Sequence, residues 1–335
     1  MQDPGQEHER PVITGTLSVE EVAVETSLRP RLLAEYIGQQ TVKQNLEILK
    51  EGPIRADKVK EGLFVIRGPF LPCMTGCRPG QTGDGLIHES GDVAVRVTPA
   101  GLIVVDDKFA SQAAEVLAQV KMVSPLPIKY LLNSHHHGDH ASGNQYMRDT
   151  LGMDIIAHKN IRANFLRIKQ AGEPNVTFAD QAAVYLGGVE VQLFWFGRGH
   201  TNGDTVIYFP DLKTIHAGDL IIDGMPVIDY PGGGSAVEFI TTIDNLLKLD
   251  FDTIIPGHGK LMTKDEVRAY RARFQTMNER MRELIRNGVR KGDLETLDRA
   301  RAQLRLAELG WDNSVSTTTW FGGLAQYYDE IAASR

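Results

Sequence analysis

The run Ser134-His135-His136-His137-Gly138-Asp139-His140 constrains this chain more than any other stretch. Four histidines and an aspartate fall within six positions, directly after the apolar segment IKYLLN. That segment reads as a strand, so the run occupies a loop held by a sheet end, where functional groups concentrate. Imidazole is the usual protein ligand for zinc, and carboxylate oxygen is the next choice. An expression tag also clusters histidines, but tags sit at termini and are not interrupted by Gly-Asp. If the loop is extended, His135 and His137 point the same way, and Asp139 and His140 face a second point a few ångströms away.

Further candidate ligands recur downstream in one setting, a strand end followed by a Gly-containing turn. They are His200 in GRGHTNGD, Asp219 in HAGDL and His258 in PGHGK. Each alone is weak; placed together at strand ends of one domain, they point to a metal centre.

The surrounding texture is that of a layered α/β protein. GLFVIRG, DVAVRVT, LIVVD, VEVQLFWF, DTVIYF, TIHAGD and FDTIIPG are short apolar runs bounded by turn residues, and each is expected to be a strand. An amphipathic helix is expected over Ala110 to Val120, and helices beyond Thr263, where Leu294, Leu297, Leu304, Leu306 and Leu309 supply apolar positions. Residues 18–50 also read as helical, through Leu32, Leu33, Tyr36 and Ile37 and then Val42, Leu46 and Leu49, while the first dozen residues are expected to be unfolded. The result is a layered domain over roughly 60–260 with helical pieces at both ends.

Composition excludes several classes. No stretch approaches the roughly 18 apolar residues of a membrane helix. A net charge of −7 argues against a broad basic surface for nucleic acid. Two cysteines in 335 residues exclude a disulfide-built scaffold and an all-cysteine zinc site. The opening MQDPGQEHERPVITG lacks the basic start and apolar run of a signal peptide, so the chain as written is expected in the cytoplasm. There Cys73 and Cys77 would be free thiols; in an oxidising compartment they could form a small-loop disulfide.

HHHGDH, GHTNGD, AGDL and PGHG, in this order and spacing, resemble the metallo-β-lactamase superfamily of zinc hydrolases over residues 59–262. The resemblance implies an αββα sandwich with a dinuclear site on one edge. By motif position, His135, His137 and His200 would hold a first zinc ion. Asp139, His140 and His258 would hold a second, and Asp219 would bridge the two. Iron, manganese or another divalent transition metal could occupy a similar nitrogen and oxygen site. Two close dications need anionic ligands, which Asp139 and Asp219 supply, and a bridging water would lose its proton near neutral pH and attack a carbonyl. Asp139 could also orient that nucleophile. His136 falls at a variable position and is expected to face solvent. Asp106 is a candidate acceptor for an imidazole N–H. His158 and His216 are expected to be structural or to support the ligands.

The superfamily cleaves β-lactams, thioesters, lactones, phosphodiesters and sulfate esters, so the fold does not name a substrate. Asp219 stands where β-lactamases of this fold often carry Cys or Ser, and Ile222 where a lysine often grips the β-lactam carboxylate. The arginine-bearing segment of glyoxalase II after AGD is also missing, replaced by LIIDGMPVIDYPGGGS. β-Lactam ring opening is the first expectation, thioester or lactone hydrolysis the second. Phosphodiester cleavage is disfavoured by the acidic balance. The expected partner is a small-molecule substrate, with no nucleic acid and no membrane, and the oligomeric state stays open.

Three segments flank or interrupt this domain. GPFLPCMTGCRPGQTGDGLIHESGD, which includes His88, is expected to be a long loop overhanging the metal edge, with His88 solvated. The extension over residues 263–335 carries Trp311, Trp320, Phe321, Tyr327 and Tyr328, expected to pack helices onto the sandwich. The arm over residues 1–58 contains SLRPRLLAEYIGQQTVKQNLEI, which resembles the opening of the branch-migration motor RuvB. No GxxxxGK[ST] phosphate loop occurs in the chain, so ATPase activity is excluded.

Overall fold

In the computed structural model, residues 54–68, 70–72, 86–88, 90–311 and 323–334 are described, with backbone alone for 70–72 and 86–88. Two sheets carry the fold. The first contains β1 (Arg55–Lys60), β2 (Leu63–Arg67), β5 (Val93–Thr98), β6 (Gly101–Val105), β7 (Ile128–Leu132), β8 (Asp154–His158) and β9 (Val176–Phe178), in that spatial order. It is antiparallel as far as β6 and parallel from β6 to β9. The second contains β10 (Gln181–Leu186), β11 (Val189–Phe194), β12 (Val206–Phe209), β13 (Thr214–His216), β14 (Thr253–Ile255) and β15 (Met262–Thr263), also in order. Here only β13 and β14 run parallel.

The period of two along each strand explains the layering. Ala94, Ile103, Val105, Leu132 and Ile156 of the first sheet meet Val191, Leu193, Ile207, Phe209 and Ile255 of the second in one buried cluster. Alternate residues Val95, Leu102, Val104, Leu131 and Ile155 face outward, onto α1 (Ala113–Val123) and α3 (Asn144–Leu151). Tyr208, Ile215 and Ile254 likewise pack on α5 (Ala236–Leu246) and α6 (Lys264–Arg286). Burial of both faces is why these strands read as continuous apolar runs. The architecture is the expected αββα sandwich, completed by α2 (Gly138–Ala141), α4 (Lys159–Ile168), α7 (Leu297–Gln303) and α8 (Leu324–Ala333).

The C-terminal helices belong to the core. Val267, Tyr270, Phe274, Met277 and Met281 of α6 join Trp311, Leu324, Tyr327 and Ile331 in the cluster that covers the second sheet. A capping box at Thr263 and Glu266 starts α6 where the sequence turns helical. Trp311 lies edge-on to Tyr270 and beneath the Arg273 guanidinium.

Two expectations change. The segment between β2 and β5 is not one loop: β3 (Phe70–Pro72) pairs antiparallel with β4 (Leu86–His88), so His88 belongs to a strand. Its Gly and Pro content hid two three-residue strands. Strand β1 was not anticipated either, because RADKVK is charged, and charge suits an edge strand with one unpaired side. Cys73, Cys77, Trp320, Phe321 and the whole segment resembling RuvB lie outside the described residues. Among the described residues no helix is long and apolar enough to cross a membrane.

Phe274 is fully buried against Phe239, with ring centroids 4.7 Å apart. Phe274→Ala is therefore expected to lower unfolding free energy by about 3–5 kcal/mol in urea titration, as for other large core truncations. A change below about 1 kcal/mol would show that the extension does not share the core.

Candidate metal centre

Four strand ends, a parallel pair from each sheet, meet at one edge. Asp106 follows β6, the histidine run follows β7, Asp219 follows β13 and His258 follows β14. His200 arrives from the loop between β11 and β12. The backbone is extended at His137 and turns helical in α2, so the first and second halves of the run address different points. The GHTNGD loop is tied by Asp204, which accepts from Thr201 N at 3.0 Å, and burial lifts the Asp204 carboxyl to about 7. Gly257 has no alternative: a Cβ there would lie 2.0 Å from Asp219 Oδ1.

The seven candidate side chains form two groups, beside a third cluster of His136, His137 and Asp229 that shares His137. His135, His137, His200 and Asp219 make one, and Asp139, His140 and His258 another, each with its candidate ligand atoms within 4.8 Å of one another. In the first group the outward ring nitrogens are occupied. His200 Nδ1 donates to Val227 O (2.7 Å) and His137 Nε2 to Asp229 Oδ2 (2.9 Å). His135 Nδ1 donates to Ser134 Oγ (3.1 Å), whose own proton goes to Asp106 Oδ2 (2.6 Å). The inward nitrogens then converge: His137 Nδ1 lies 3.1 Å from His135 Nε2 and 3.0 Å from His200 Nε2. In the second group His140 Nδ1 donates to Asp106 Oδ2 (2.9 Å), leaving Nε2 3.3 Å from His258 Nε2 and 3.1 Å from Asp219 Oδ1. Asp139 Oδ2 sits 3.2 Å from His258 Nε2, and Asp219 Oδ2 reaches back to His200 Nε2 at 3.7 Å. Asp219 thus spans both groups.

Ring nitrogens that converge on one point while the opposite nitrogens are anchored are what a bound cation requires of imidazoles. The donor set therefore fits divalent metal. Charge agrees. Burial keeps His200 neutral by pushing it down to about 4, and His135 is also held well below the ordinary imidazole range, first by burial and then by His140. Burial opposes charge on Asp139 and Asp219, yet His140 and His258 outweigh it, leaving Asp139 at about 2 and Asp219 well below the usual carboxylate range. For His258 burial again opposes charge, but Asp219 and Asp139 lift it to about 9. In the metal-free protein, protons do the balancing that a dication would do.

All seven sequence candidates come together at this edge, and Asp106 accepts from both His140 and Ser134. Asp106 is buried with φ 64°, a left-handed conformation that aspartate tolerates better than most residues and that these bonds hold in place. His136 is a correction: it is buried rather than solvent-facing, because Asn164 of α4 donates to its Nδ1 (3.4 Å) and Asp229 closes over its Nε2 (3.6 Å). His216 donates to Asp92 O (2.9 Å), and His158 stacks on Trp195 while donating to Ala179 O (2.6 Å), both bracing the scaffold. Asp229, which orients His137, was missed. Its one signal was an acid inside the Gly-rich stretch IDYPGGGS, six strands along the chain from its partner.

The family described as Metallo-beta-lactamase superfamily matches residues 104–258, the span that holds every one of these side chains. Residues 104–258 thus match a metallo-β-lactamase superfamily domain. The chain is 26% identical over 147 residues to the 2,4-dinitroanisole O-demethylase subunit alpha of Nocardioides sp. (strain JS1661), covering 43% of this chain and 44% of that protein. It is 24% identical over 170 residues to the type 2 metallo-beta-lactamase of Bacillus cereus, covering 49% of this chain and 65% of that one. The matches thus span less than two thirds of these relatives' own lengths. A metallo-beta-lactamase from Pontibacter korlensis shares the fold with a TM-score of 0.56 at 17% identity, over 66% of this chain and 99% of that structure.

Because His258 carries a proton below about 9 in the metal-free protein, metal must displace that proton. Zinc uptake at pH 7 in weak buffer is expected to acidify the solution, and apparent affinity to fall as pH drops below about 9. Uptake without proton release would contradict this charge balance.

Proposed function

We propose that this protein is a dinuclear zinc hydrolase that opens a small-molecule carbonyl compound, with β-lactam rings the first substrate class. Membership of the superfamily supports a metal-dependent hydrolase. The observation that carries the proposal is the convergence of His135, His137, His200, Asp219, Asp139, His140 and His258 on one edge, with the outward nitrogens of His135, His137, His140 and His200 already anchored. His135, His137 and His200 would hold one ion, Asp139, His140 and His258 the other, and Asp219 would touch both. When bound, two such ions would acidify water and polarise a carbonyl or leaving group.

The chain's own groups do the rest. Asp139 stays ionised and partly exposed, so it can only accept, and it orients the O–H of the attacking water. Asp229 and the Val227 carbonyl hold the outward N–H groups of His137 and His200, aiming their inward nitrogens at the place a metal would take. Asp106 does the same for His140.

Thioester or lactone hydrolysis is the second reading, and two observations favour it. Asp219 spans the groups where many β-lactamases of this fold carry Cys or Ser. Ile222, at the position of a carboxylate-gripping lysine, is a buried apolar residue. The relatives range from an O-demethylase subunit to a β-lactamase, so the leaving group is not set by family alone.

Hydrolysis of a chromogenic cephalosporin by metal-stripped protein, with and without added zinc, tests the first reading. Zinc-dependent turnover is expected. No turnover by protein holding two zinc ions would move the assignment to thioesters and lactones. Asp139→Asn and His200→Ala are each expected to abolish turnover while keeping the parent circular dichroism spectrum; parental rates in both variants would refute the site.

A further inference from the structure

We propose that Lys108 is a positioning residue for the second metal, holding the Asp139, His140 and His258 side in register through the Gly91 peptide. The inference rests on the reading of those three residues as ligands. Lys108 follows β6, is fully buried and has φ 64°. On its backbone side it pairs with Ala141, and its carbonyl accepts from Gly143 N (3.2 Å), so it braces the helical turn that carries Asp139 and His140. Its neighbour Asp107 donates from N to His140 O (2.7 Å).

The side chain reaches the other flank of the same ligands. Lys108 Nζ donates to Gly91 O (2.6 Å), and Gly91 N donates to Asp139 O (3.0 Å). A Cβ on residue 91 would lie 2.1 Å from His140 Cε1, so this peptide lies against the imidazole. The next residue continues the seam: Asp92 N donates to Gly257 O (2.7 Å), beside His258. One buried ammonium group therefore anchors the strip of backbone that touches the Asp139 turn, the His140 ring and the His258 loop. His135, His137 and His200 are tied elsewhere, to Ser134, Asp229 and Val227.

Burying a lysine is costly unless its charge is matched. Here burial pushes Lys108 down to about 8, and Asp92, Asp139 and Asp106 attract its charge against that cost. A methionine would fill the same volume and supply neither charge nor hydrogen bond, which separates positioning from packing.

The test is equilibrium competition of the zinc-loaded full chain against a chromogenic chelator, with X-ray absorption of the retained ion. The parent is expected to hold two ions. In Lys108→Met one ion is expected to keep its parental affinity and a three-imidazole signature, while the other weakens about 10- to 100-fold. Gly91→Ala, which presses a methyl group on the His140 ring and leaves the lysine in place, is expected to act the same way. Equal weakening of both ions, or none, in a folded variant overturns the proposal. If Lys108→Met does not fold, Gly91→Ala decides on the same criterion. A parent that holds fewer than two ions overturns the dinuclear reading itself, and the proposal with it, a result distinct from variants that match a two-metal parent.

Discussion

Two carboxylates, Asp139 and Asp219, lie half-buried among five imidazoles at one end of the sandwich, and everything around them answers the resulting need for positive charge. Unpaired carboxylates in such a place are costly. Without metal, protons on His140 and His258 meet that need, which is why burial fails to neutralise either acid. With metal, the same geometry offers bare nitrogens and charged oxygens at once. The rest of the edge keeps the rings from turning away: Ser134, Asp106, Asp229 and the Val227 carbonyl each hold an outward nitrogen.

The fold makes this possible through strand direction. Strands β6 and β7 run parallel in one sheet and β13 and β14 in the other, so four chain segments leave the sheets at one edge. Residues just past those ends, 106, 135–140, 219 and 258, are placed by the rigid sheets. Glycine completes the approach, since Gly257 and Gly91 press their backbones against Asp219 and His140 where no side chain fits.

Much of this was legible in the amino-acid order. Runs such as LIVVD and FDTIIPG announced strands buried on both faces, and HHHGDH, GHTNGD, AGDL and PGHG announced the residues that converge. Asp106 could be suspected because it ends a buried strand. What stayed hidden depends on three-dimensional neighbours. The carboxylate of Asp229 meets His137 across 92 positions of chain. His136 is covered by Asn164 and Asp229, so a loop position that looks solvated is closed. Strand β1 lacks apolar character because its register on β2 supplies the order that its side chains do not. Lys108, a charged residue after a strand, reads as surface until its ammonium group is seen against Gly91.

The central claim is that these seven side chains hold two metal ions, and a crystal structure of the zinc-loaded protein, with anomalous difference density at the zinc edge, tests it most directly. Two peaks are expected, one among His135, His137 and His200 and one among Asp139, His140 and His258, with Asp219 contacting both. A single peak at saturating zinc, or density away from these residues, would contradict the account.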